Sequence, residues 1–117
     1  MKKALIFAAV AEAATGLALL IAPSLVGQLL LGEELAGIAI PIARVTGIAL
    51  IALGIACWPG PPLVGMLVYT ALVMLYLAYI GIRGEWGGPL LWPAVAVHAV
   101  LAVLLARDLL GSDRQRI

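Results

Sequence analysis

Three ionisable side chains, Glu12, Arg44 and His98, stand inside long apolar stretches of this chain. A carboxyl, a guanidinium and an imidazole can together bind a polar group, orient it or relay a proton. A charge at the centre of a bilayer costs at least about 2.5–3.5 kcal/mol, so an ionisable residue there is by default a functional-site hypothesis. Tyr69 and Tyr76 add phenols, and Thr15 and Thr46 add hydroxyls close to Glu12 and Arg44. These seven residues form the candidate polar cluster.

Spacing gives their depth. At a helical rise of 1.5 Å per residue, Glu12 falls about 12 Å and His98 about 14 Å from the inner end of its stretch. Arg44 falls at about 21 Å, Tyr76 at about 20 Å and Tyr69 at about 9 Å on the same count. All four stretches thus send a polar residue toward the central third of the membrane. Glu12 shares a helical stripe with Ala8, Ala9, Thr15 and Gly16, and Arg44 shares one with Gly37, Pro41 and Gly47. Both stripes read as packed interior. Glu12 is then the carboxylate placed to pair with Arg44, and such a pair could simply fix helix register. His98 would bond a tyrosine or a backbone carbonyl.

Three functional readings stand beside that structural one. A polar pocket could hold a lipophilic ligand such as a quinone, sterol or lipid. His98 and a tyrosine would bond its carbonyl or hydroxyl, with Arg44 and Glu12 orienting them, as bundle interiors often allow. Haem ligation by His98 is disfavoured, since one histidine per chain gives one axial ligand unless two protomers share the group. A proton or ion path through Glu12 and His98 would need an oligomer, because four spans make a thin conduit.

Other chemistries lack their residues. The serines are Ser24 and Ser112, the aspartates Asp108 and Asp113 sit in the C-terminal tail, and there is no asparagine. No phosphate-binding glycine loop or metal-ligand cluster is present. The single cysteine, Cys57, excludes an internal disulfide and a Cys-x-x-Cys site, and reads as a small buried thiol. A net charge of +1 without a basic run argues against nucleic acid.

The elements that must position the cluster follow from hydropathy. Hydrophobic residues make up 65% of the chain, more than a water-soluble domain could hide. Apolar stretches at about 4–22, 36–57, 63–82 and 89–107 each approach the twenty residues that cross a bilayer. Ala11-Glu12-Ala13 could pass for a signal cleavage site, yet the apolar run continues past it to Ala22, which favours an uncleaved span. Pro23 ends span one and Ser24 is placed to cap a short interfacial helix over Leu25 to Leu31. Pro41 predicts a kink in span two, Trp58 to Pro62 a tight turn, and Pro89 the start of span four. Trp86 and Trp92 suit the interfacial aromatic belt. The tail from Arg107 reads as a solvated anchor whose Arg114 and Arg116 meet anionic headgroups.

Lys2 and Lys3 precede span one and Arg107, Arg114 and Arg116 follow span four, whereas the opposite loops carry Glu33, Glu34 and Glu85 against Arg83. The positive-inside rule then puts both termini in the cytoplasm. Short loops make consecutive spans antiparallel neighbours, an all-α, up-down four-helix bundle in one transmembrane domain. Small residues supply its packing faces: Ala8, Ala9 and Gly16; Ala43, Gly47 and Gly54; Ala99, Ala102 and Ala106. Thr15-Gly16-Leu17-Ala18 also echoes Thr46-Gly47-Ile48-Ala49, a pattern seen in inverted repeats.

Gly16 with Pro23-Ser24-Leu25, Ala43-Arg44-Val45-Thr46-Gly47, and Leu91-Trp92-Pro93-Ala94 with His98 resemble the small four-span bacterial proteins of the DoxX-like superfamily. That resemblance implies a bacterial inner membrane and points the ligand reading toward quinones; it implies no catalytic residue. The resulting expectation is a homo-oligomeric accessory or ligand-binding membrane subunit without chemistry of its own. A transporter or channel-like oligomer comes second, and a membrane oxidoreductase component third.

Overall fold

The structure is a computed structural model that describes residues 2–84 and 86–116, with side chains described for 3–84 and 86–111. Glu85 and the side chains of Lys2, Ser112, Asp113, Arg114 and Arg116 lie outside the described residues, so the acidic-loop and headgroup readings that use them do too. Five helices follow in order: α1 Lys2–Ile21, α2 Pro23–Leu31, α3 Ala39–Cys57, α4 Pro62–Arg83 and α5 Leu91–Arg116. The chain is all-α, with no strand among the described residues. Four helices are long and apolar enough to cross a membrane, over Lys3–Ile21, Ala39–Cys57, Pro62–Arg83 and Leu91–Gly111.

Proline sets where most of these helices begin. Pro23 and Pro62 open α2 and α4, while Pro41 and Pro93 stand third in α3 and α5. First-turn amides have no intrahelical acceptor, so a proline there forfeits nothing. This corrects the expected kink at Pro41. The Gly37 carbonyl already receives the Ile40 amide at 3.1 Å, and α3 starts only at Ala39. It also moves the start of the last span from Pro89 to Leu91. Beyond Arg107 the backbone stays helical to Arg116, so the tail takes the form of a continuation of α5.

The chain divides into two compact units, Met1–Gly65 and Met66–Ile117. In the first, α1 and α3 run antiparallel and cross where Gly16 meets Gly47. A Cβ on Gly16 would strike the Gly47 carbonyl and the Ile51 amide; one on Gly47 would strike the Gly16 carbonyl and the Leu20 amide. The contact is reciprocal about a local twofold, so the Thr-Gly echo marks two helices meeting through the same backbone surface. One heptad away, a Cβ on Gly54 would lie 2.7 Å from the Ala9 carbonyl. Small residues are what allow this approach where lipid gives no hydrophobic drive to associate.

The short helix α2 packs against both α1 and α3. Ser24 does not cap it: no side chain caps α2, and Ser24 Oγ instead donates to the Leu35 carbonyl at 3.0 Å, tying the following loop back. Gly32 closes α2 at φ +88°, a left-handed conformation that glycine adopts without strain. After the turn, Gly65 in the first turn of α4 seats on Ala52 and Ala56 of α3.

In the second unit, α4 and α5 run antiparallel. Gly81 lies under Leu91 and Trp92, and Tyr69 meets His98 two turns deeper along α5. Arg83, at the end of α4, lies 5.6 Å from the Tyr79 ring centroid, a cation–π distance. Large apolar side chains on every helix stay exposed, among them Phe7 at 75%, Leu31 at 76% and Ile82 at 78%. So much exposed apolar surface suits a lipid surround.

Candidate functional site

The α4–α5 pair brings two of the seven candidate residues together. The Tyr69 and His98 rings lie 6.0 Å apart between centroids and tilt by 56°. His98 Nδ1 sits 2.7 Å from the Ala94 carbonyl, one turn back on α5. A carbonyl can only accept, so Nδ1 carries the proton, and in the neutral ring Nε2 is left as the acceptor. The expected backbone bond of His98 is therefore present, and it fixes the tautomer. This is the arrangement in which an imidazole offers one defined nitrogen to a ligand or metal.

Both residues lie well inside helices long and apolar enough to cross a membrane. His98 is about 10 Å from the Leu91 end of α5 at the helical rise, and Tyr69 about 10 Å from the Pro62 end of α4. Both rings are half-buried. Ala96, Val97, Val100 and Leu101, on the exposed flank of α5 turned away from His98, line a shallow, wholly apolar hollow. Tyr76 is half-buried too, but it has no hydrogen bond or ring contact among the described residues.

The α1–α3 pair holds the other four, and there the geometry departs from the expected pair. No ion pair joins Glu12 and Arg44 among the described residues, and neither has a hydrogen-bond partner there. Register explains it. Ala9 and Ala13 lie against Gly54, whereas Leu19 and Leu20 lie against Gly47, next to Arg44. Glu12 and Arg44 are thus offset by about nine residues, or about 13 Å along the axis.

Helical periodicity also puts them on opposite flanks of the contact. Arg44 shares its stripe with buried Pro41 and Ile48 and is half-buried. Glu12 shares its stripe with Ala8 and Thr15, and all three are exposed. The expected interior stripe on α1 is therefore split: Ala9 and Gly16 are buried, while Glu12 lies at the uncovered edge. Cys57, expected to be buried, is exposed at the end of α3.

The threonines are satisfied locally. Thr15 Oγ1 donates to the Ala11 carbonyl and Thr46 Oγ1 to the Ile42 carbonyl, each at 2.9 Å. Such bonds to the preceding turn occupy the hydroxyl proton and leave only acceptor capacity outward. Sequence reading passed over Thr70, which is 2% exposed; its hydroxyl donates to the Leu67 carbonyl at 3.1 Å, which makes it a packed core residue. No metal-ligand group of three or more acidic, histidine or cysteine residues occurs among the described residues.

The fold and exposed surface support a multi-pass membrane protein. No protein-family model, curated protein or solved structure matches the chain.

Proposed function

We propose that this is an accessory or ligand-binding membrane subunit that presents His98 and Tyr69 to a lipophilic molecule. The observation that carries the reading is the Nδ1-to-Ala94 bond, which leaves Nε2 as a directed acceptor inside an apolar span. An acceptor selects a ligand that brings a donor, so a hydroxyl of a quinol, sterol or similar amphiphile fits His98. The Tyr69 phenol can donate to a neighbouring carbonyl of the same ligand. The DoxX-like resemblance of the short passages supports a bacterial inner membrane and a quinone-type head group. The flanking lysines and arginines support cytoplasmic termini.

Native mass spectrometry of protein released from mild detergent tests this. The expected result is a small added mass on the wild type that Tyr76→Phe keeps and His98→Ala loses, with unchanged helicity by circular dichroism. A wild-type protein that carries no added mass, or an added mass that survives His98→Ala, overturns the proposal.

A further inference from the structure

The bond from His98 Nδ1 to the Ala94 carbonyl, 2.7 Å long, does more than choose a tautomer. A carbonyl only accepts, so Nδ1 keeps its hydrogen whether the imidazole is neutral or protonated. Any proton the ring gains or loses is therefore exchanged at Nε2. That atom is an acceptor in the neutral ring and a donor in the protonated one, while the bond at Nδ1 holds the ring in place. His98 is half-buried within the candidate span Leu91–Gly111. It has the Ala94 bond and the Tyr69 ring contact at 6.0 Å, and no further hydrogen bond, ion pair or ring contact among the described residues. Tyr69 is thus the titratable group that meets it. The others on α4 are Tyr76, Tyr79 and Arg83, about 10, 15 and 21 Å from Tyr69 along the axis. On α5, Arg107 and Asp108 lie about 14 and 15 Å from His98 in the same way.

We infer that the proton on Nε2 sets which head group the site holds. The inference rests on the reading of His98 as a ligand site in a membrane span, and it adds the rule by which that site selects. The neutral ring holds a hydroxyl, which donates to Nε2, and rejects a head group that only accepts, such as a ketone. The protonated ring donates, so it holds the ketone, and it holds the hydroxyl too through its oxygen. A hydroxyl compound and the carbonyl compound formed by its oxidation differ in this one respect. His98 therefore sorts the two forms of one lipophile, strictly when neutral and loosely when protonated. Lipid tails and apolar side chains offer neither donor nor acceptor, so a mismatched nitrogen stays unsatisfied and the choice is sharpened.

The chain has one histidine, so isotope-labelled histidine reports His98 alone. Nitrogen NMR of the labelled protein in lipid nanodiscs, across about pH 5–8, gives the tautomer and the charge of the ring. The probes are para-decylphenol and para-decylacetophenone, neither of which changes charge in that range. The acetophenone is expected to bind about two- to twelvefold more tightly to the protonated ring, the range of one hydrogen bond. The phenol should bind in both states. His98→Gln, whose amide both donates and accepts, should bind both probes without pH dependence, and circular dichroism checks that it folds. A neutral ring protonated at Nε2, a ring that keeps one charge throughout, acetophenone affinity that ignores the charge, or pH dependence that survives His98→Gln overturns the inference. The two proposals fail separately. An added mass that His98→Ala loses keeps the ligand reading even where acetophenone affinity ignores the ring's charge, whereas a wild type that binds neither probe and carries no added mass removes both.

Discussion

Replacing Gly16 with alanine tests whether the α1–α3 crossing is a backbone contact. In a helix interior, glycine to alanine is worth about 1 kcal/mol of helix propensity. At Gly16 the added Cβ meets the Gly47 carbonyl and lies 2.9 Å from the Ile51 amide, and main chain cannot swing aside as a side-chain tip can. Forcing a methyl into such a contact costs about 1–3 kcal/mol. Gly111 serves as the reference, because it is helical and a Cβ there meets nothing within 4 Å. The propensity term is common to both substitutions, so the difference between them isolates the contact. Gly16→Ala should be less stable than Gly111→Ala by about 1–3 kcal/mol, or about five- to 150-fold in the folding equilibrium. Reversible unfolding in mixed micelles, followed by circular dichroism, measures both. The local twofold adds a second condition. Gly47→Ala should cost about as much as Gly16→Ala, and the double variant less than their sum, since helices already parted accommodate the second methyl. If Gly16→Ala gained as much stability as Gly111→Ala, the close crossing would be refuted.

Ser24→Ala removes the bond that ties the loop at Leu35 back to α2 and should cost about 0.5–1.5 kcal/mol in the same unfolding assay. A helix-cap role predicts a fall in helicity at α2 as well; retention of the Leu35 tie as the sole function predicts none. Cys57 is exposed at the end of α3, so a membrane-impermeant maleimide reports its side. With cytoplasmic termini it should label in inverted vesicles and stay unlabelled in intact cells. The opposite pattern would reverse the proposed orientation.

Much of the fold was legible because lipid imposes a simple code. Length and apolarity mark the spans, and the expected boundaries of α1, α3 and α4 lie within three residues of those observed. Prolines at Pro23, Pro41, Pro62 and Pro93 mark starts for the reason that first-turn amides are unpaired anyway. Pro41 was misread as a kink because its effect depends on where the helix begins, and hydropathy does not resolve that to one turn. Cys57 fell outside the core for a related reason, since it closes α3 instead of continuing inward.

The candidate site was legible only as a set of residue types. Sequence alone determined that Glu12, Arg44 and His98 lie within apolar spans, because position along a helix fixes depth. Tertiary structure decided which of them could meet. The Gly16–Gly47 crossing sets the register of α1 against α3, and that register together with helix phase keeps Glu12 from Arg44. The α4–α5 pair, in contrast, brings Tyr69 to His98. Depth is a property of one helix, whereas contact belongs to two, and the relative rotation and slide of two helices are set by how their surfaces pack.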